Sequence, residues 1–400
     1  MTGRTALMIA AVFIIPAPCF AFMDIQSGDT SAELKLLARL AVMRTDASPM
    51  PGSSGPSSVS DTSLRLIAGA KARGLVSLEF HAQESWTAVS FASAGGASGK
   101  GSVERSSALT GLQRDDGGTL AVFDVDRLAL RMDLDRVDVT IGRQPVNLGA
   151  LHYFTPNDIF APFSANTFYR VYKPGVDCVR VEARVSELSQ LTFVHALGYR
   201  PDKDSANGWS YAADYGRSSS IARFSTTAKG VELTFLGGKQ DKAEITGGAV
   251  QGEIPGKIGV RMEGNNVNPS GGDPYWTVAL EADRRFESSL NIRAAYLRNG
   301  KGSGSVSAYD FSGMYPAQDY TAFGAGYQFS PLLIGEAVWL FNMNDDSGMA
   351  SLTFVYSTSD ESEIAFTASL PHGKGWKPDG AGSEFGSRAS TAIVELRAYF

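Results

Sequence analysis

From residue 34 onward the chain repeats with a period of two, and that repeat constrains the fold more than anything else in it. In "ELKLLARLAV", Leu34, Leu36, Ala38, Leu40 and Val42 share one face, while Glu33, Lys35 and Arg39 share the other. Val137, Val139 and Ile141 alternate with Arg136, Asp138 and Thr140; Val179, Val181, Ala183 and Val185 alternate with Arg180, Glu182 and Arg184. Trp276, Val278, Leu280 and Ala282 alternate with Thr277, Ala279, Glu281 and Asp283. Successive side chains of a strand point to opposite faces, so this pattern builds two-faced strands and not helices.

The pattern predicts about 18 strands, near 34–43, 62–70, 75–86, 120–132, 136–147, 175–185, 191–200, 219–227, 231–239, 242–252, 256–263, 275–286, 290–298, 319–329, 332–342, 348–358, 363–371 and 389–400. Their connections differ in kind. Short turns fall at 71–74, 133–135, 186–190, 228–230, 254–256, 287–289, 330–331 and 359–362. Long polar segments fall at 45–61, 88–118, 149–174, 201–218, 264–274, 299–318 and 375–387. Short turns at one end and long loops at the other are the pattern of a transmembrane antiparallel β-barrel, with the turns periplasmic and the loops extracellular.

A soluble sandwich or propeller alternates too. Two further features favour the barrel. The apolar face carries Trp276, Tyr296, Phe323, Tyr327, Phe329, Trp339, Phe341, Phe354 and Tyr356, which suit the aromatic girdles of a membrane protein. The other face carries charges inside the strands: Lys35, Arg39, Arg65, Glu79, Arg136, Asp138, Arg180, Glu182, Arg184, Arg261, Glu263, Glu281, Asp283, Arg293, Glu336, Glu395 and Arg397. With His81 they are the expected pore-lining residues, because a barrel this wide holds water. Their signs are mixed, so they are expected to satisfy one another across strands. The chain closes on "STAIVELRAYF", a two-faced strand ending in Phe400, the expected signal to the barrel-insertion machinery.

The first 21 residues read as a cleaved signal peptide, with Arg4, an apolar run from Ala6 to Ile15, and small residues near Ala21. The barrel is expected over 22–400. Removal of the leader takes Cys19 and leaves Cys178, so neither an internal disulfide nor a cysteine metal site is expected. A net charge of −6 gives no basic footprint for nucleic acid. No serine, histidine or carboxylate set suggests a nucleophile with its base, so no catalytic residue is expected, and neither a metal nor another cofactor. "NMNDDSG" (342–348) could hold a cation but reads as a solvated acidic loop.

The stretch 139–185 is the most distinctive. It contains Gly142-Arg143-Gln144, then Pro156-Asn157-Asp158 with Phe160-Ala161-Pro162, then "YKPGVD" at 172–177. Here, and in the hairpins of 231–264, the chain resembles the alginate-export and porin-like outer-membrane β-barrels. The resemblance implies an 18-stranded barrel passing a polysaccharide or small hydrophilic solutes. Alginate exporters carry an arginine-lined lumen, and the mixed charges here depart from that. The 149–174 loop, rich in Phe, Tyr and Pro, is expected to fold inward as a constriction involving Arg143, Gln144, Asn157 and Asp158. Arg143 shares parity with lipid-facing residues, so it is expected at a strand end or bulge, anchoring the base of that loop. Asp158 is expected to cap its turn. The function expected is a passive outer-membrane channel in contact with lipid. The alternative is a structural barrel holding a periplasmic partner.

Overall fold

The computed structural model describes residues 23–47, 56–89, 103–167, 170, 172–255, 257–375 and 382–400. The expected signal peptide, 1–21, lies outside them. Among the described residues eighteen strands form one closed antiparallel barrel, numbered here in chain order. They are β1 (Thr30–Thr45), β2 (Ser57–Ala72), β3 (Val76–Val89), β4 (Thr119–Leu134), β5 (Val137–Gln144), β6 (Val176–Ser186), β7 (Ser189–Ala196), β8 (Ser219–Ala228), β9 (Val231–Gln240), β10 (Ala243–Ile254), β11 (Ile258–Pro269), β12 (Tyr275–Arg285), β13 (Asn291–Asn299), β14 (Asp319–Ser330), β15 (Leu333–Asn342), β16 (Ser347–Ser359), β17 (Ser362–His372) and β18 (Thr391–Tyr399). Each pairs with the next, and β18 closes on β1 with Tyr399 opposite Leu37. Closure leaves no sheet edge to present unpaired backbone groups to lipid.

The two faces separate as the alternation predicts. Leu34, Leu36, Leu64, Leu66, Phe193, Phe235, Leu280, Phe323 and Val394 are exposed on the outside. Ser63, Arg65, Glu263 and Glu281 face the interior and are buried there. A spanning strand needs about 9–11 residues. The 16 residues of β1, β2 and β4 exceed that, and the 8 of β5 fall short. A six-residue strand, Thr110–Asp115, pairs with β4 beyond the end of β5 and completes the wall there. A further strand, Met23–Ser27, folds back on the start of β1. Its partners on β1, Thr30 to Leu34, lie directly below those of β18, and Phe400 pairs with Leu36 between the two sets.

Two differences from the sequence expectation are local. Arg136 sits in the tight turn between β4 and β5, exposed and outside the strands, because Asp135 takes a positive φ of 66° and reverses the chain one residue later than expected. In the β3–β4 pairing His81 faces Arg127 but Ala82 faces Val125, so Asp126 is a bulged extra residue. A bulge lets two neighbours point the same way. Asp126 reaches Arg65 at 2.6 Å and Arg127 reaches Glu79 at 2.6 Å. Loops and turns also divide less cleanly than expected: 241–242 and 343–346 are tight turns on the loop end.

Candidate functional site

The described residues of the segment 145–175, between β5 and β6, fold into the lumen. Its two feet are joined by Arg143, at the end of β5, and Asp177, at the start of β6, 2.7 Å apart. Arg143 is 1% exposed and also donates to the carbonyls of Val125 and Ser106, each at 2.7 Å. It lies where the β4–β5 ladder ends, so its charge meets neither lipid nor open lumen. Gly142 before it has φ 121°, and a Cβ there would lie 2.1 Å from the Leu128 carbonyl oxygen. A glycine is therefore required for the chain to turn Arg143 into this enclosure. Gln144 donates to the carbonyls of Thr140 and Cys178, at 3.0 and 3.3 Å, and fixes the same foot. Arg143 thus joins the two feet of the inward segment. The same side chain also secures the 103–109 segment through Ser106.

From that base the loop crosses to the opposite wall. Glu263 of β11, 0% exposed, accepts the backbone N–H groups of Ala150, Leu151 and Asn157 at 2.5, 3.3 and 3.1 Å. Glu281 of β12 accepts those of His152 and Tyr153 at 3.0 and 2.9 Å. Asn265 donates to the Pro156 carbonyl at 2.7 Å, and Asn157 donates to that of Gly248 at 2.9 Å. Buried carboxylates need such partners, and a loop without secondary structure needs acceptors for its N–H groups; each meets the other's requirement. Arg261 and Arg293 flank Glu281 at 3.5 and 3.6 Å, and Arg261 also binds Asp283. Apolar packing completes the attachment. Tyr153 and Phe154 are buried with Leu297, Tyr320, Leu340 and Phe385. The Tyr153 hydroxyl rests on Gly324, where an added Cβ would lie 1.6 Å away.

Glu263 and Glu281 are therefore not open pore-lining groups, as parity alone suggested; they lie beneath the loop. Asn157 faces the wall. Asp158 binds Lys173 across the loop, with one contact at 2.5 Å, in addition to its backbone turn onto Thr155. Burial pushes the Asp158 carboxyl up and the Lys173 ammonium down, while each holds the other's charge.

On its return the loop presents Tyr172, whose ring lies 4.4 Å from the Arg65 guanidinium. Between Tyr172 and the wall of β1, β2, β3 and β18 is a cavity of about 250 Å³, lined by Arg39, Ser63, Arg65, Gln83, Glu395 and Arg397 with Leu37 and Tyr399. Each arginine has a carboxylate: Arg39 has Asp61 and Glu395, Arg65 has Asp126, and Arg397 has Glu363 and Glu395. This charged cavity is the candidate site. Of the expected lining residues it gathers Arg39, Arg65, Glu395 and Arg397. Glu79, with His81 at 3.1 Å, lies on the neighbouring wall. Lys35 binds Glu33 at 2.6 Å, Asp138 binds Arg131 at 2.7 Å, and Arg180 faces Glu182 at 3.2 Å, all apart from this cavity. Arg184 lies at the turn end near Asp133, and Glu336 lines a separate cavity with Arg293 and His152 on the turn side of the loop.

Tyr172, Lys173, Arg170, Asp61, Asp126 and Arg127 were missed by parity reasoning. The adjacent pair Asp126-Arg127 inside a strand was a usable signal, because without a bulge one of the two would face lipid.

No protein-family model matches the chain, and no curated protein sequence does. Among solved structures the chain is similar to a BenF-like porin from Pseudomonas fluorescens Pf-5, with TM-score 0.60 and 11% identity, covering 92% of this chain and 98% of that one. It is also similar to OccAB4 from Acinetobacter baumannii, with TM-score 0.59 and 8% identity over 92% and 98%. OccK2 (OpdF) from Pseudomonas aeruginosa gives TM-score 0.59 and 12% identity over 92% and 97%. At these identities the likeness establishes the fold, that of an 18-stranded outer-membrane porin. It supports the porin-like side of the sequence resemblance and not alginate export.

Proposed function

We propose that this chain is an outer-membrane channel through which small hydrophilic solutes diffuse, with the 145–175 loop as its narrowing. In this orientation the turn end and both termini face the periplasm. The observation that carries the proposal is the cavity of about 250 Å³ between Tyr172 and the wall, lined by ion-paired arginines and carboxylates. Such a lining can replace part of a solute's hydration shell during passage. Passage of a polysaccharide is disfavoured, because a polymer needs the loop displaced and Glu263 and Glu281 hold it by five backbone N–H groups. The mixed signs also match a polyanion poorly. The channel requires no catalytic residue, metal or cofactor. Insertion would begin from the β18 end, with Phe400 read by the assembly machinery.

The test is conductance of the purified protein in planar bilayers. Ohmic, partner-free current steps are expected. A barrel that stays sealed until a co-purifying periplasmic protein is added would replace the proposal with the partner-holding alternative. A mature chain that dissolves as a monomer without detergent would overturn the membrane assignment itself.

A further inference from the structure

On its loop-end face the inward segment leaves a second cavity, of about 390 Å³. Phe154, Pro156, Ile159 and Phe163 form its floor. Ile245, Val267, Tyr275 and Leu297, from the upper ends of β10 to β13, form one side. Met314 and Tyr315 of the 300–318 segment lie over it. The aromatic walls are held in place. Phe154 meets Tyr315 edge-on at 5.4 Å, and the Tyr315 hydroxyl accepts the Ala165 N–H at 3.2 Å. Three side-chain amides border the cavity: Asn265 donates to the Pro156 carbonyl at 2.7 Å, Gln240 to that of Ile159 at 3.5 Å, and Asn299 to that of Tyr315 at 2.8 Å. Thr277 adds a hydroxyl.

We propose that this cavity is a binding site for a small neutral aromatic molecule with one hydrogen-bonding edge, of the benzamide type. The proposal deepens the channel function and rests on it for the route by which the guest arrives. The volume falls in the range of small-ligand sites, and an apolar lining with a few fixed polar groups is their usual chemistry. Phe163, Tyr275 and Tyr315, which are only partly buried, offer ring edges and faces at which another ring packs well. The fixed amides of Asn265 and Gln240 suit an amide or hydroxyl edge on the guest. A charged guest would lose hydration among Ile245, Val267 and Leu297. Of the two charged lining residues, Asp158 is already neutralised by Lys173, and Lys301 is exposed to solvent. The site is distinct from the charged cavity, so the two would act in sequence on an entering solute.

The experiment is titration of the full-length, detergent-solubilised protein with benzamide, followed by calorimetry and saturation-transfer NMR. Wild type is expected to bind benzamide and not acetamide, which has the polar edge without the ring. Thr277→Trp, which fills the cavity, is expected to weaken binding by at least about tenfold. Met314→Ala, in the exposed covering segment, is expected to weaken it less and guards against a folding defect in the first variant. Equal binding by wild type and Thr277→Trp, binding of acetamide or benzoate as tight as that of benzamide, or no binding at all would each overturn the proposal. In bilayers, benzamide added on the loop side is expected to interrupt current in wild type and not in Thr277→Trp. A protein that passes no current refutes the channel, while the titration still decides the pocket.

Discussion

Glu263, on the barrel wall, accepts the backbone N–H of Asn157, 106 residues away in sequence, at 3.1 Å. With Ala150 and Leu151 on the same carboxylate, one side chain holds the middle of the inward loop. Glu263→Ala should leave three N–H groups without their acceptor, at about 1–3 kcal/mol each. The expected outcome is a larger and noisier single-channel conductance with the barrel intact by its shift on unboiled gels. Glu263→Gln, which keeps one acceptor oxygen, should fall between the two. A Glu263→Ala trace that superimposes on wild type would remove the latch from the argument.

Gly324 is a packing requirement. An alanine Cβ there would lie 1.6 Å from the Tyr153 hydroxyl, and Tyr153 is 1% exposed, so the ring has no room to move aside. Overpacking of this kind costs about 1–3 kcal/mol. Gly324→Ala should therefore lift Tyr153 from the wall and reproduce the noise of the Glu263 variants. Cysteine accessibility at Leu151→Cys, which leaves the Tyr153 ring in place, reads the displacement when measured with and without the glycine change.

Acid should loosen the loop through His152. Burial, together with Arg170, Arg293 and Arg261 nearby, brings its pKa from the ordinary 6.5 down to about 3. Above pH 6.5 both the docked and detached loops keep the imidazole neutral, and docking carries no penalty from it. As pH falls from 6.5 towards 3, the detached loop takes up a proton that the docked loop refuses, so docking weakens progressively. Over that window wild type should gain more open-channel noise than His152→Gln, and that difference is the contribution of His152. Identical pH profiles for wild type and His152→Gln between pH 7 and about 4 would contradict this account.

Arg65 neutralises Asp126 at 2.6 Å and faces Tyr172. Arg65→Ala leaves Asp126 as a buried carboxylate beside the passage. Removing one member of a buried pair costs about 3–5 kcal/mol. In a salt gradient the reversal potential should move towards cation preference, and Arg65→Ala/Asp126→Ala should return it towards wild type. An unchanged potential in the single variant would place the ion path elsewhere.

The alternation of Leu34, Leu36 and Val42 with Lys35 and Arg39 is enough to assign each residue to a face, because a strand has only two. The strand number follows from it; the barrel needed, in addition, the aromatic residues on the apolar face and the charges inside the strands. What covers an inward residue does not follow. Glu263 and Arg39 have the same parity logic, yet one lies beneath a loop and the other borders a cavity; the difference is made by residues 145–175, whose path depends on contacts more than 100 positions away. The loop could be expected to fold inward from its Phe and Tyr content, but its docking wall could not. Arg136 shows the other limit: a single turn residue with positive φ, Asp135, moved it from strand to turn.

The Met23–Ser27 strand already covers the lower part of β1, from Thr30 to Leu34. When the cylinder zips shut, the incoming final strand therefore finds only the upper stretch of that edge free. A slide towards the periplasm by even two residues would collide with backbone already in place. The short hairpin thus serves as a stop at one end of the seam: it bars the last strand from travelling beyond the place where Phe400 meets Leu36.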